Sequence, residues 1–173
     1  MNDASLAAIA VRLGELLAAG GLILATAESC TGGWISKLVT DVPGSSAWFD
    51  CGIVTYSNSA KTSLLGVGTD LIAAHGAVSG QVAGAMVSGA LARSRADVAV
   101  AVSGIAGPGG GSLEKPVGTI WIAWAARGRQ PEAVMLCCPG KDRDEVRRSA
   151  AGAALEGLVE RIEKNLLRPL AGQ

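Results

Sequence analysis

Apolar residues recur at helical spacing near the start of the chain, at Leu6, Ile9, Leu13, Leu16 and Leu17. That spacing predicts an amphipathic helix over residues 3–19, stopped by Gly20-Gly21. Leu22 to Ala27 is a continuous apolar run, which fits a strand buried on both faces. Glu28-Ser29-Cys30-Thr31 reads as a turn. Gly32 to Val39 reads as a short helix, ended by Asp41-Val42-Pro43-Gly44. Phe49 to Tyr56 alternates loosely, as a strand does. Asn58 suits the N-cap of a helix holding Lys61, Leu64 and Leu65. A short helix over 69–74 comes next. Ser79 then caps a helix reaching about Arg93, with Val82, Met86, Val87 and Leu91 on one face.

Asp97 to Ser103 is a second buried strand, and Gly104 to Pro116 a long Gly/Pro loop. Val117 to Ala126 and Pro131 to Cys138 read as a hairpin joined by Arg127-Gly128-Arg129-Gln130. A last helix runs from about Asp142 to Leu167. Early helix–strand alternation with a late hairpin predicts an α/β fold, with a mixed, mostly parallel sheet of about five strands between helix layers. No repeat or linker interrupts the chain, so one domain over residues 1–173 is expected.

Composition narrows the chemistry. Hydrophobic residues make up 49% and charged residues 17% of the 173 positions, a globular balance. Fifteen basic residues offset fifteen acidic ones, which argues against a nucleic-acid binder with a basic surface. Aromatics at 3% argue against base-stacking platforms. One histidine, His75, gives no multi-histidine metal set, so neither metal nor cofactor is expected. No C-x-x-C spacing joins Cys30, Cys51, Cys137 and Cys138, and the amino terminus lacks a signal peptide. No apolar run is long enough to span a bilayer. A cytoplasmic protein with reduced thiols and no membrane association is the expectation.

Four segments could carry chemistry. Ala27-Glu28-Ser29-Cys30-Thr31-Gly32-Gly33 joins a buried strand to a helix start. A hydroxyl is exposed at such a turn, and the following amides can hold an oxyanion or a phosphate. An ordinary Ser/Thr cap fits the same residues, and Cys30 is a rival nucleophile. In Val54–Lys61, Lys61 falls near a helix start, where the local field lowers an amine pKa and makes it a candidate general base. Tyr56 could relay a proton; a solvated Lys and a strand-end Tyr explain the same pattern. Ser103-Gly104-Ile105-Ala106-Gly107-Pro108 opens a glycine-rich loop able to wrap an anion or simply to connect strands. It has neither a dinucleotide fingerprint nor a P-loop ending. Arg143 near the last helix start could fork onto a phosphate, or belong to a solvated first turn. His75 and Cys30 fit structural roles.

Taken together, the segments resemble one family. They are Ala27–Gly33, Pro43-Gly-Ser-Ser46, Gly52–Asn58, Ala60-Lys61, His75–Ser79, Ser103–Pro108, Lys115–Thr119, and Asp142-Arg143 with Val146-Arg147. Over residues 5–160 they are similar to the CinA C-terminal domain family of nicotinamide-nucleotide amidases. The resemblance implies a three-layer α/β/α sandwich. It also implies hydrolysis of the carboxamide of nicotinamide mononucleotide to nicotinate mononucleotide and ammonia, in pyridine nucleotide salvage. It places Ser29 at the nucleophile, with Lys61 and Tyr56 as partners. Thr31, Gly32, Gly33, Ser103, Gly104, Gly107 and Arg143 are the expected substrate contacts. The chain resembles the stand-alone form, and its Gly80-Gln81 departs from the often acidic segment found at this position in relatives. Two other readings remain: a non-catalytic nucleotide-binding or partner-binding module, and an amidase for another small amide. Trp121 and Trp124 on one apolar strand suit either a homo-oligomer interface or the core.

Overall fold

Leu24-Ala-Thr-Ala-Glu28 and Val98-Ala-Val-Ala-Val-Ser-Gly104 alternate larger side chains with methyl groups, and this alternation gives the sheet two unlike faces. A computed structural model describes residues 1–167. Its elements are α1 (Asp3–Gly20), β1 (Leu24–Glu28), α2 (Trp34–Thr40), β2 (Phe49–Val54), α3 (Asn58–Leu65), α4 (Thr69–His75), α5 (Gly80–Ala92), β3 (Val98–Gly104), β4 (Thr119–Ala126), β5 (Glu132–Cys137) and α6 (Arg143–Glu163). Leu24, Val98, Val100, Val102, Ile120, Ile122 and Trp124 pack beneath α1, α2 and α6. Ala25, Ala27, Ala99, Ala101, Ala123 and Ala125 face the other way, against Val82, Met86, Val87 and Ala90 of α5. The methyl-lined face gives α5 no large side chains to stand on, so it lies close to the strands. The result is a three-layer α/β/α sandwich.

The strand order is β2-β1-β3-β4-β5. β1 pairs in parallel with β2 and β3, whereas β3–β4 and β4–β5 are antiparallel. Four of the five strands therefore run the same way. The paired edges nevertheless divide evenly, and the expected mostly parallel sheet is an overstatement. The cause is the β4–β5 hairpin together with the helix-free return from β3 to β4. Carboxyl ends of β1, β2, β3 and β5 all emerge at one edge, where ligands bind in open α/β sheets.

Local boundaries shifted where glycine or capping chemistry decides. Gly32 and Gly33 take φ of +63° and +96°, so α2 begins only at Trp34. Ser57, not Asn58, caps α3, its hydroxyl accepting from the Ala60 amide at 3.0 Å. Both residue types cap well, and spacing alone did not separate neighbours. Ser79 caps α5 as expected, and Asp142 with Glu145 forms a capping box on α6. α6 ends at Glu163, short of Leu167. Trp124 is a core ring, its indole N–H donating to Ala154 O at 3.0 Å. Trp121 is half-buried beside Gly80. No helix among the described residues is long and apolar enough to cross a membrane.

Candidate active site

Strand geometry places Ser29 one residue past β1 and Lys61 in the second turn of α3, on adjoining strand connections. Lys61 Nζ lies 2.9 Å from Ser29 Oγ and 2.8 Å from Thr55 O. Thr55 is fixed in turn by its amide, which donates to Glu28 O at 2.7 Å. Lys61 is 1% exposed and Ser29 8%. A lysine side chain so deeply buried is rare without a carboxylate; here its polar contacts are a hydroxyl and a carbonyl. Burial holds the amine below its ordinary value of 10.5. A neutral amine facing a serine hydroxyl at this distance can accept its proton.

The pair opens into a cavity of about 270 Å³. Cys30, Tyr56, Asn58, Ala77, Val78, Ser103 to Gly107, Gly109, Gly110 and Arg143 line the rest of it. The structure thus brings together Ser29, Tyr56, Lys61, Ser103, Gly104, Gly107 and Arg143, which lie far apart in sequence. Ser103 Oγ donates to Ala77 O at 2.7 Å and tethers the α4–α5 connection to the end of β3. Arg143 Nη1 donates to Gly107 O at 2.6 Å, and its Nη2 to the Tyr56 hydroxyl at 2.9 Å. Among the described residues, no amide from Ala106 to Gly111 donates to another backbone group. This loop can therefore offer N–H groups to an anion, with Arg143 beside it. Among the described residues no cluster of metal-ligating side chains occurs.

Two expectations change. Thr31, Gly32 and Gly33 do not line the cavity. The Glu28 carboxylate already takes the amides of Gly33, Ile35 and Ser36 at 2.8–3.1 Å, together with the Ser36 hydroxyl at 2.7 Å. Gly32 N donates to Ser29 O. The start of α2 is thus occupied by the chain's own carboxylate, and an external phosphate has no place there. Tyr56, 63% exposed, is bonded to Arg143 rather than to Lys61. The direct Ser29–Lys61 contact leaves a Tyr56 relay without a function.

Cys30 is buried, and its thiol is pushed up to about 11, chiefly by desolvation, so it remains protonated at neutral pH. His75 ends α4 outside the cavity; its carbonyl accepts from Lys115 Nζ at 2.7 Å. Glu28, Thr55 and Arg147 lie in the segments that carry the resemblance, but the sequence pattern assigned them no role in the site. Arg147 follows Arg143 by four residues, so helical spacing alone placed both on one face of α6. Nothing in the sequence marks Thr55, because only its carbonyl is used.

Residues 6–162 match the model of the CinA C-terminal domain. Nicotinamide-nucleotide amidohydrolase PncC of Escherichia coli K12 is 50% identical over 165 residues, covering 95% of this chain and 99% of that protein. The protein of the same name from Pseudomonas putida is 53% identical over 152 residues, covering 88% and 94%. The crystal structure of competence/damage inducible protein CihA from Agrobacterium tumefaciens superposes with a TM-score of 0.88 at 47% identity, covering 90% of this chain and 94% of that one.

Proposed function

The chain belongs to the CinA C-terminal domain family, and from that premise we propose that it is a nicotinamide-nucleotide amidohydrolase. Its substrate is nicotinamide mononucleotide, its products are nicotinate mononucleotide and ammonia, and it works in cytoplasmic pyridine nucleotide salvage as one domain. The observation that carries the chemistry is the buried 2.9 Å contact between Lys61 Nζ and Ser29 Oγ. Ser29 Oγ attacks the carboxamide carbon while neutral Lys61 takes the hydroxyl proton. Lys61 returns that proton to the departing nitrogen, which leaves as ammonia and strands a nicotinoyl ester on Ser29. Water then attacks the ester carbon, gives a proton to Lys61, and the Ser29 hydroxyl is restored as the acid departs.

The Cys30 amide has no backbone partner among the described residues, belongs to a residue that lines the cavity beside Ser29, and is the donor we assign to the oxyanion. The Gly107–Gly110 loop and Arg143 take the phosphate, with Tyr56 orienting the Arg143 guanidinium. Ser103 and Gly104 form the wall between these two ends.

Ammonia release from nicotinamide mononucleotide tests the reading, with free nicotinamide and a simple amino-acid amide run in parallel. Wild type is expected to turn over the nucleotide, and folded Ser29→Ala to lose turnover. Near-normal turnover by Ser29→Ala overturns the mechanism. Loss of turnover in Cys30→Ala with an active Ser29→Ala moves the nucleophile by one residue.

A further inference from the structure

Arg147 lies on α6, behind the turn that carries Ser29 and outside the cavity. Its Nε donates to Cys30 O at 3.0 Å and its Nη2 to Thr31 O at 2.7 Å. One guanidinium thus grips the carbonyls of the two residues that follow the nucleophile. The head group is itself held over the Trp34 ring, 5.2 Å from its centroid, at the first residue of α2. Gly32 is exposed at the same place, and a Cβ there would stand 3.4 Å from Arg147 Nη2.

We infer that Arg147 is a positioning residue for the amidase reaction, fixing the Cys30–Thr31 and Thr31–Gly32 peptide planes; the second carries the Gly32 N–H that donates to Ser29 O, so the grip holds the turn that presents Ser29. The inference rests on the amidase reading above. In a trans peptide the N–H points opposite to the C=O. The Cys30–Thr31 bond is trans. Drawing Cys30 O toward α6 therefore directs the Thr31 N–H away from α6. A neutral donor would hold one carbonyl; a planar fork with several N–H groups holds two at fixed spacing. Lysine keeps the charge at this position and loses the fork. Arg148 supplies the internal control. It stacks on the same Trp34 at 5.1 Å, but its partners are Asp3 and Asp144, not the turn.

The test compares full-length wild type with Arg147→Lys, Arg147→Ala and Arg148→Lys, each checked for a native thermal transition. One readout is kcat and KM for ammonia release. The other is the rate at which phenylmethanesulfonyl fluoride sulfonylates Ser29 Oγ, fluoride leaving and Lys61 taking the hydroxyl proton, followed as a mass shift, which needs no nucleotide. Arg147→Lys is expected to lose about 10²-fold in kcat with little change in KM, the cost of misplacing reacting groups by an ångström. Sulfonylation of Ser29 is expected to slow in parallel. Added guanidinium is expected to restore part of the kcat of Arg147→Ala, a recovery that a general loss of stability does not give. Arg148→Lys is expected to match wild type. A folded Arg147→Lys with kcat and sulfonylation within about threefold of wild type overturns the assignment. So does an Arg148→Lys defect as large as that of Arg147→Lys. If wild type itself releases no ammonia, the amidase reading fails, while the sulfonylation ratio still reports whether Arg147 sets the turn.

Discussion

Replacing Lys61 by methionine separates what the amine does for the reaction from what it does for the fold. Methionine keeps the stem that α3 buries and removes only the head. Two contacts disappear, one at 2.9 Å to Ser29 Oγ and one at 2.8 Å to Thr55 O. Thr55 is fully buried, so its carbonyl is left unsatisfied at a cost of about 1–3 kcal/mol. Against this, the variant no longer strips an amine of water in a site where burial already disfavours its charge. The opposing terms leave a small net change, and at about 2–4 °C per kcal/mol for a chain of this size the melting temperature is expected to move by only a few degrees. The reaction has no such compensation. Without a base the Ser29 hydroxyl keeps its proton, and kcat is expected to fall about 10²–10⁴-fold, equivalent to roughly 3–5 kcal/mol of barrier. Circular-dichroism melting and coupled detection of ammonia read the two quantities on one preparation. A Lys61→Met protein that melts like wild type and turns over within about tenfold of it refutes the assignment of Lys61 as base.

Other outcomes follow from the same geometry. With the Lys61 amine held below 10.5 by burial, kcat/KM is expected to rise with pH as the amine deprotonates, along a limb that lies below 10.5 and is absent in Lys61→Met. The unfolded chain binds the extra proton between the folded value and 10.5, so wild-type stability relative to Lys61→Met is expected to rise with pH across that window in urea titrations. Iodoacetamide added to native protein is expected to label exposed Cys137 first and to spare buried Cys30 and Cys138, with mass spectrometry of peptides as the check. Gly89→Ala would drive a Cβ into the Leu65 carbonyl where α5 crosses the end of α3. It is expected to cost about 1–3 kcal/mol and lower the melting temperature accordingly.

Much of this fold was legible because periodicity and burial agree. The alternation in Val98–Gly104 shows which residues face which layer, and the hairpin signal at Arg127–Gln130 matches the antiparallel β4–β5 pair. The turns that hold Ser29, Lys61 and the glycine loop were legible because they follow strands, and ligands in such folds bind at strand ends. The fate of the amides after Ser29 was not legible. Whether a helix start greets a ligand or a neighbouring carboxylate depends on where one side chain turns, and the Glu28 carboxylate turns back onto α2. The tie between Tyr56 and Arg143 spans 87 positions, and no local pattern encodes it.

The grip of Arg147 on Cys30 spans 117 positions, and that span has a meaning in time. A ribosome adding about 5–20 residues per second completes Arg147 roughly 6–23 s after Cys30. Ser29 and Lys61 are only 32 positions apart, so both are made well before α6 exists. A growing chain that has paired its first strands therefore holds Ser29 and Lys61 without Arg147 behind them. α6 is made after every strand of the sheet, and its docking completes the turn.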